Sequence, residues 1–323
     1  MFAHTTVETD LSEHPAIKAW GKIRPHSVIP QAVETLKKTK TSSAYRLMSV
    51  GPAGFPIIAK RCERETALIE RIMYEQVLPS LSLSALDYYG FAEDDTGDAC
   101  WLFLEDAGEK EYSPVVEEHR DLAVSWMATI HTAATRMDLR DRLPDRGPTY
   151  YLALLHSTCE RILQNLSNPS LSGDDRKVLR TIVSECEVLQ SSWDRIEKSC
   201  DVMPQTLVHG DFVEKNVRVR SGECGTSLVL FDWEVAGWGV PAADLAECPD
   251  IPAYWSLVRQ HWTHLRFEEI RELAEVGKIF RLLSALSWAS WGLESEWTNR
   301  PMRYMRCYAA DLPNAIRNVE IDN

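Results

Sequence analysis

The chain has 323 residues, which at roughly 150 residues per domain predicts about two structural units and a sizeable core. Its 45% hydrophobic and 26% charged residues are ordinary for a globular protein. The 35 basic against 48 acidic side chains leave a formal charge of −13, which argues against a generic nucleic-acid binder with a cationic face while permitting a local basic pocket.

The longest charge-free stretches, Leu47–Ala59 and Gly147–Cys159, run to 13 residues and contain Gly and Pro. A spanning helix needs about 18 to 20 apolar residues, so no membrane partner is expected. The opening MFAHTTVETDLSEH lacks the basic and apolar regions of a secretory signal, and the expectation is a soluble, cytoplasmic chain. The eight cysteines show no CxxC pair and no zinc spacing. They are expected to stay reduced and to pack as small side chains.

Along the chain, residues 1–30 read as a helical or irregular lead-in with Pro25 and Pro30 as breakers. From Ala44 the pattern turns strand-like: AYRLMSV, the turn GPAG, then FPIIAK, which reads as a hairpin. CERETALIERIMYEQVL follows, with Ile69, Met73 and Val77 on one helical stripe and Pro79 as its end. Two more strands are expected near Leu86–Phe91 and at Cys100–Leu104. After Glu105-Asp106-Ala107-Gly108 the character becomes helical, with Leu122, Trp126 and Ile130 forming another stripe. Amphipathic stretches continue to about residue 200, an island of short strand-like runs spans TLVHGDFVEKNVRVRSGECGTSLVLFDWEVAG, and the chain reads helical again from about 251.

The island carries the chemistry. His209-Gly210-Asp211 is followed by Asn216, the form H-G-D-x-x-x-x-N, and the apolar run LVLF leads into Asp232. Phosphoryl transfer needs a carboxylate to orient and deprotonate the acceptor hydroxyl, together with hard oxygen ligands for Mg²⁺. Asp211 fits the first task. Asn216 and Asp232, short and oxygen-bearing beside strand-like runs, fit the second. The spacing of Asp211 and Asn216 matches the kinase catalytic loop, and Asp232 stands where kinases carry the metal-binding Asp of D-F-G, here Asp232-Trp233-Glu234.

With these residues and the tail Gly239-Val240-Pro241-Ala242-Ala243-Asp244-Leu245-Ala246, the sequence resembles the aminoglycoside phosphotransferase and choline kinase branch of the protein-kinase-like fold. AYRL…IIAK resembles the phosphate-loop hairpin with its lysine strand, WLFLEDAG the hinge strand, and the likeness covers roughly residues 35 to 250. It implies an α+β, two-lobed fold. Residues 1–106 would form a small β-rich lobe with one key helix, and residues 107–323 a larger, mainly helical lobe with the catalytic loop, metal site and acceptor region.

The resemblance assigns Lys60 to the α- and β-phosphates of ATP, paired with a helix glutamate. Glu70 and Glu65 both qualify by position; five helical residues turn about 500°, so only one can face Lys60. The family spacing favours Glu70. The phosphate loop falls at Lys40-Thr41-Ser42-Ser43 without a G-x-G-x-x-G, so Ser42 and Ser43 are its candidate contacts, and Glu105 begins the hinge. His209 is expected to brace the loop and Asp244 to hydrogen-bond it, while Lys215 has no kinase counterpart.

The activity implied is transfer of the γ-phosphoryl group of ATP, with Mg²⁺, to a hydroxyl of a small molecule that is aminoglycoside-, choline- or sugar-like. The alternative is a catalytically silent nucleotide-binding regulatory module on the same fold. The surplus of acid is compatible with a cationic acceptor and equally with an ordinary soluble protein. His261, His264 and Glu268 share one face if that stretch is helical, which reads as a polar face rather than a metal site. The tryptophans at 255, 262, 288, 291 and 297 are expected mainly to pack in the core.

Overall fold

A computed structural model describes residues 7–8, 11, 13–25, 28–39, 41–95, 97–222 and 225–321. The first part contains β1 (Val7–Glu8), α1 (Pro15–Ile23), β2 (Val33–Lys38), β3 (Ser43–Leu47), β4 (Ile57–Glu63), α2 (Arg64–Ile72), β5 (Tyr88–Glu93) and β6 (Ala99–Glu105). The helices α3 (Glu117–Ala134), α4 (Pro148–Asn165), α5 (Gly173–Ser191) and α6 (Trp193–Asp201) follow. The short strands β7 (Thr206–Val208), β8 (Val217–Gly222), β9 (Gly225–Leu230) and β10 (Gly237–Gly239) come next. Four helices complete the chain: α7 (Ala242–Leu245), α8 (Ile251–Val258), α9 (Phe267–Trp291) and α10 (Asn299–Ile321).

By packing the chain divides into two compact units. One comprises the residues through His119 together with Val213–Val235; the other comprises Arg120–Phe212 and Ala236–Asn323. The chain therefore leaves the second unit after Phe212, adds the β8–β9 hairpin to the first, and returns at Ala236.

The first unit is built on an antiparallel sheet of order β1-β2-β3-β4-β6-β5. The expected hairpin is β3–β4, with Ala44 opposite Lys60, and β4 lies between β3 and β6. Successive side chains of a strand point to opposite faces. Ile57 and Ala59 of β4 and Trp101 and Phe103 of β6 therefore join Tyr45, Leu47 and Val33 in a core against Ala16, Ala19 and Trp20 of α1. Trp20 meets Phe103 with ring centroids 5.1 Å apart. Burying such side chains contributes about 1.5–3 kcal/mol each, and Phe103→Ala would forfeit about 3–5 kcal/mol. The alternate residues Ile58, Lys60 and Leu104 face the other way and line a cleft.

Two local expectations differ from the structure. The strand β2 precedes Ala44; its sequence VETLKK buries one residue fully and leaves the last two exposed, so it carries little apolar signal. The helix α2 stops at Ile72 and continues as a wide π turn, Met73–Val77, and a 3₁₀ turn, Leu78–Ser80. Its buried residues are Ala67, Glu70, Met73, Tyr74 and Val77, while Ile69 is half-buried, so the inward face includes a carboxylate.

The second unit is organised around α9, which packs against α4, α6, α7, α8 and α10. Its inward face carries Ile270, Leu273, Ile279, Phe280, Leu283 and Leu286, and Phe280 stacks on Tyr151 of α4 at 3.8 Å between centroids. At Gly277 the helix passes so close to α7 that a β-carbon would overlap the carbonyl of Ala242. The α5 helix starts in a capping box formed by Ser172 and Asp175, and Asp175 is also ion-paired with Arg306 of α10. The α+β class expected from the sequence holds: an antiparallel sheet at the N-terminal end and a mostly helical remainder. Among the described residues no helix is long and apolar enough to cross a membrane. The seven described cysteines are unbridged, and Cys224 lies outside the described residues.

Candidate active site

The first unit holds an open cleft, concave and mostly apolar with a few convergent charged groups, the character of a small-ligand site. Leu36, Ala44, Ile58, Leu86, Leu104 and Phe231 provide apolar walls, and Lys60, Glu70 and Asp232 gather charge within it. Two antiparallel arrangements create this geometry. The register of β4 points Lys60 into the cleft, where α2 delivers Glu70. The β8–β9 hairpin pairs Val217 with Leu230, and Phe231 N–H donates to the Asn216 carbonyl at 3.1 Å. Asn216 and Asp232 therefore flank the open end of one hairpin, although they are far apart in sequence.

Lys60 Nζ is ion-paired with both Glu70 and Asp232, and Glu234 lies 4.0 Å away. Glu65, the rival partner, sits exposed in the first turn of α2. Burial works to lower the Lys60 pKa, but the carboxylates of Glu70, Asp232 and Glu234 outweigh it and hold the ammonium well above its ordinary value. Glu70 is wholly buried; that burial pushes its carboxyl up to about 7 despite the opposing pull of Lys60. Asp232 has φ 68°, the left-handed region that non-glycine residues seldom occupy.

Glu70, Asp232 and Glu234 place one carboxylate oxygen each within 4.8 Å of one another. Such a set, with Asn216 buried at the open end of the same hairpin that leads into Asp232, has the hard-oxygen character that Mg²⁺ requires, and that ion would take its remaining ligands from water and phosphate. The chemistry of the donor set fits.

Ser42 and Glu105 also line the cleft. Ser42 closes the β2–β3 turn: its N–H donates to Thr39 Oγ1 at 3.0 Å, and its carbonyl accepts from Thr39 N–H at 2.8 Å. Lys40 of the expected phosphate loop lies outside the described residues. Ser43 is buried in β3 opposite Arg61 and is not among the lining residues. Glu105 pairs with Arg220 at 2.9 Å and accepts from Asp87 N–H at 3.1 Å.

Asp211 belongs to the second unit and is 2% exposed. Its loop is held from several sides. The Asp244 carboxylate accepts from His209 N–H and Gly210 N–H, both at 2.8 Å. The Asp211 N–H donates to His209 Nδ1 at 3.2 Å, so the histidine braces the turn. Gly210 takes φ 76°, where a side chain would be strained. Behind Asp244 stands His131, with Nε2 3.2 Å away, and the other ring nitrogen lies 2.9 Å from the Tyr254 hydroxyl. A carboxylate only accepts, so Nε2–H donates to Asp244 and Nδ1 accepts from Tyr254. Burial acts to raise the Asp244 pKa, but the hydrogen bond from His131 and the N–H donors of the His209 loop win, and the carboxyl is held below its usual value.

Arg281, in the middle of α9, completes this constellation. Its Nη1 lies 2.8 Å from Asp211 Oδ1 and donates to the Gly210 carbonyl at 2.8 Å. Sequence reasoning missed Arg281, His131 and Tyr254. They lie far from the H-G-D loop in the chain, and none belongs to a short motif. The cleft-lining Arg46 was missed likewise; it links Glu34 at 2.8 Å and Asp106 at 2.5 Å.

Other sequence features resolve differently from expectation. His261 and His264 lie in the turn between α8 and α9, so they share no helical face with Glu268. Of the five late tryptophans Trp262 is buried and Trp255 half-buried, whereas Trp288, Trp291 and Trp297 are exposed. Core packing therefore does not account for those three.

The backbone is similar to several solved kinases. A choline kinase from Cryptosporidium parvum Iowa II matches with TM-score 0.59 and 11% identity over 89% of each chain. A thermostable mutant of the aminoglycoside phosphotransferase APH(4)-Ia, in a ternary complex with ADP and hygromycin B, matches with TM-score 0.59 and 11% identity over 94% of this chain and 98% of that one. A GDP and kanamycin complex of APH(2")-IIia matches with TM-score 0.60 and 12% identity over 93% of this chain and 98% of that one. At these identities the likeness speaks for the fold, which is protein-kinase-like. No curated protein matches the chain in sequence. The model of the phosphotransferase enzyme family matches residues 44–276, well over half of the chain, and the chain belongs to that family.

Proposed function

We propose that the protein transfers the γ-phosphoryl group of ATP to a hydroxyl of a small molecule. The observation that carries this reading is the buried ammonium of Lys60 held by Glu70 beside Asp232 in an apolar-walled cleft. It is an arrangement suited to a purine and its phosphates. ADP in one structural neighbour and GDP in another are consistent with a nucleotide donor.

Lys60, which stays protonated across any working pH, grips the nucleotide phosphates, and Glu70 fixes its direction. Phosphate oxygens can replace Asp232 as partners of the ammonium. Asp232 and Asn216 would hold Mg²⁺, which would supply positive charge to offset that of the phosphates. Asp211 orients the acceptor hydroxyl and takes its proton, with Oδ1 fixed by Arg281. Ser42 and Glu105 border the nucleotide, and the apolar walls exclude water around the base. Positioning and electrostatics supply most of the rate gain in such a transfer.

The test is ADP release in the presence of Mg²⁺ with a panel of hydroxyl compounds, comparing the natural chain with Asp211→Asn. Removing a positioned general base costs about 100- to 10,000-fold in turnover. A silent nucleotide-binding module would bind ATP and show no release dependent on Asp211, and unchanged turnover in Asp211→Asn would refute the assignment.

A further inference from the structure

The β2–β3 turn, where phosphate contacts are expected from the sequence, uses its own backbone donors to close itself. Ser42 N–H donates to Thr39 Oγ1 at 3.0 Å, and Thr39 N–H donates to the Ser42 carbonyl at 2.8 Å. Ser43 is buried in β3. Glycine-rich phosphate loops instead turn successive backbone N–H groups onto the anion. With the N–H groups of Thr39 and Ser42 engaged inside the hairpin, positive charge for a polyanion has to come from side chains.

The register of β2 turns one side chain to that task. Thr35 lies opposite Tyr45 but Lys37 lies opposite Ala44, so Leu36 is an extra residue on the β2 side, a β-bulge. Side chains alternate between faces, and one extra residue sends those beyond it to the opposite face. Tyr45 points into the core against α1, and Thr35 shares its face. Regular alternation from Thr35 would aim Leu36 at the cleft and Lys37 away from it. With the bulge, both Leu36 and Lys37 line the cleft. Ala44 is in turn opposite Lys60. Lys37, Ala44 and Lys60 therefore form one row across β2, β3 and β4, and the two lysine backbones stand about 10 Å apart at the usual strand spacing.

Four cationic side chains line the cleft, and three are engaged within the protein. Lys60 is paired with Glu70 and Asp232, and Arg46 with Glu34 and Asp106. Arg218 donates to the carbonyls of Lys215 and Val217, and its guanidinium covers the Phe231 ring at 5.3 Å. The fourth, Lys37, is exposed and has no hydrogen-bond or ion-pair partner among the described residues. An ammonium on a flexible four-carbon stem meets phosphate as a point charge and needs no fixed approach. From one cross-strand row, Lys60 and Lys37 can reach the same polyphosphate.

We infer that Lys37 is a second phosphate contact of the nucleotide, aimed by the β2 bulge, and that it supplies the charge a glycine-rich loop would provide through its backbone. The inference rests on the reading of the cleft as a nucleotide site and deepens it.

The experiment is isothermal titration of the natural chain, Lys37→Met, Lys37→Arg and Lys38→Met with ATP plus Mg²⁺ and, separately, with adenosine. Lys38 is the control: it is exposed, lies opposite Ser43 and does not line the cleft. Lys37→Met should weaken ATP binding about tenfold, the scale of one charged hydrogen bond, and leave adenosine within about twofold. It should also lessen the loss of ATP affinity between low and high salt. Lys37→Arg should stay within about threefold of the natural chain, and Lys38→Met should match it. A thermal melt of each variant checks folding. Unchanged ATP affinity in Lys37→Met overturns the inference alone, as does an equal loss for adenosine or an equal effect of Lys38→Met. A natural chain that binds no ATP overturns the nucleotide reading and the inference together. Binding that depends on Lys37 without any transfer would refute the phosphotransferase reading and uphold the inference.

Discussion

At Asp232 a side chain with proposed metal chemistry sits on a backbone that costs energy to hold. Asparagine shares aspartate's tolerance of left-handed φ, whereas alanine meets a penalty of about 1–2 kcal/mol there. Asp232→Asn and Asp232→Ala should both lose turnover, and urea denaturation should show the alanine variant less stable by about 1 kcal/mol. Equal stability would mean the conformation is not maintained in solution. Asp244 makes the complementary case, a wholly buried carboxylate whose stability depends on its donors. Asp244→Ala leaves two loop N–H groups and His131 without their acceptor, and should cost about 3–5 kcal/mol. Its folded pKa lies below the unfolded value, so its contribution is present above about pH 4 and is lost as pH falls through the lower folded value. The stability gap between the natural chain and Asp244→Asn should therefore narrow in melts taken from pH 5 down to pH 3. A gap constant with pH would contradict the linkage.

At the scale of elements, the H-G-D loop depends on helices that lie far from it in sequence. Asp244 is delivered by α7, a single turn too short to be stable alone, which α9 supports at Gly277. A methyl group at that position must push the helices apart. Gly277→Ala should destabilise by about 1–3 kcal/mol, the range for overpacking, against the small gain that alanine brings to an open helix. Turnover should fall with it, because Asp244 moves with α7. A variant as stable and active as the natural chain would show that the close approach is absent. Arg281 on the same helix grips the loop from the Gly210 carbonyl and Asp211. One helix thus contributes both a buttress and a charge partner.

Across the whole molecule, the charge of −13 would have to coexist with the polyanionic nucleotide proposed as its ligand. The cleft resolves this locally by placing Lys60, Lys37, Arg46 and Arg218 along its lining, although Arg46 is already neutralised by Glu34 and Asp106. Without a divalent cation, the cluster of Glu70, Asp232 and Glu234 opposes phosphates. ATP with Mg²⁺ should therefore raise the melting temperature more than ATP with EDTA; saturation to about 100 times Kd stabilises by about 2.7 kcal/mol. Equal shifts with and without the metal would count against the proposed ligand set.

The sequence by itself determined the α+β class, the β3–β4 hairpin, the Lys60 strand and the H-G-D loop with Asn216 and Asp232. These are legible because each is local: alternation and turn residues act over a few positions, and catalytic spacing is a property of one loop. Polar β2 escaped because pairing rather than apolar content stabilises it. The choice of Glu70 over Glu65 waited on which face of α2 turned inward, and that was decided by burial against the sheet. Arg281, His131 and Tyr254 became visible only in the tertiary structure. Their roles arise from helices brought together by core packing, where contact depends on shape and depth rather than on distance along the chain.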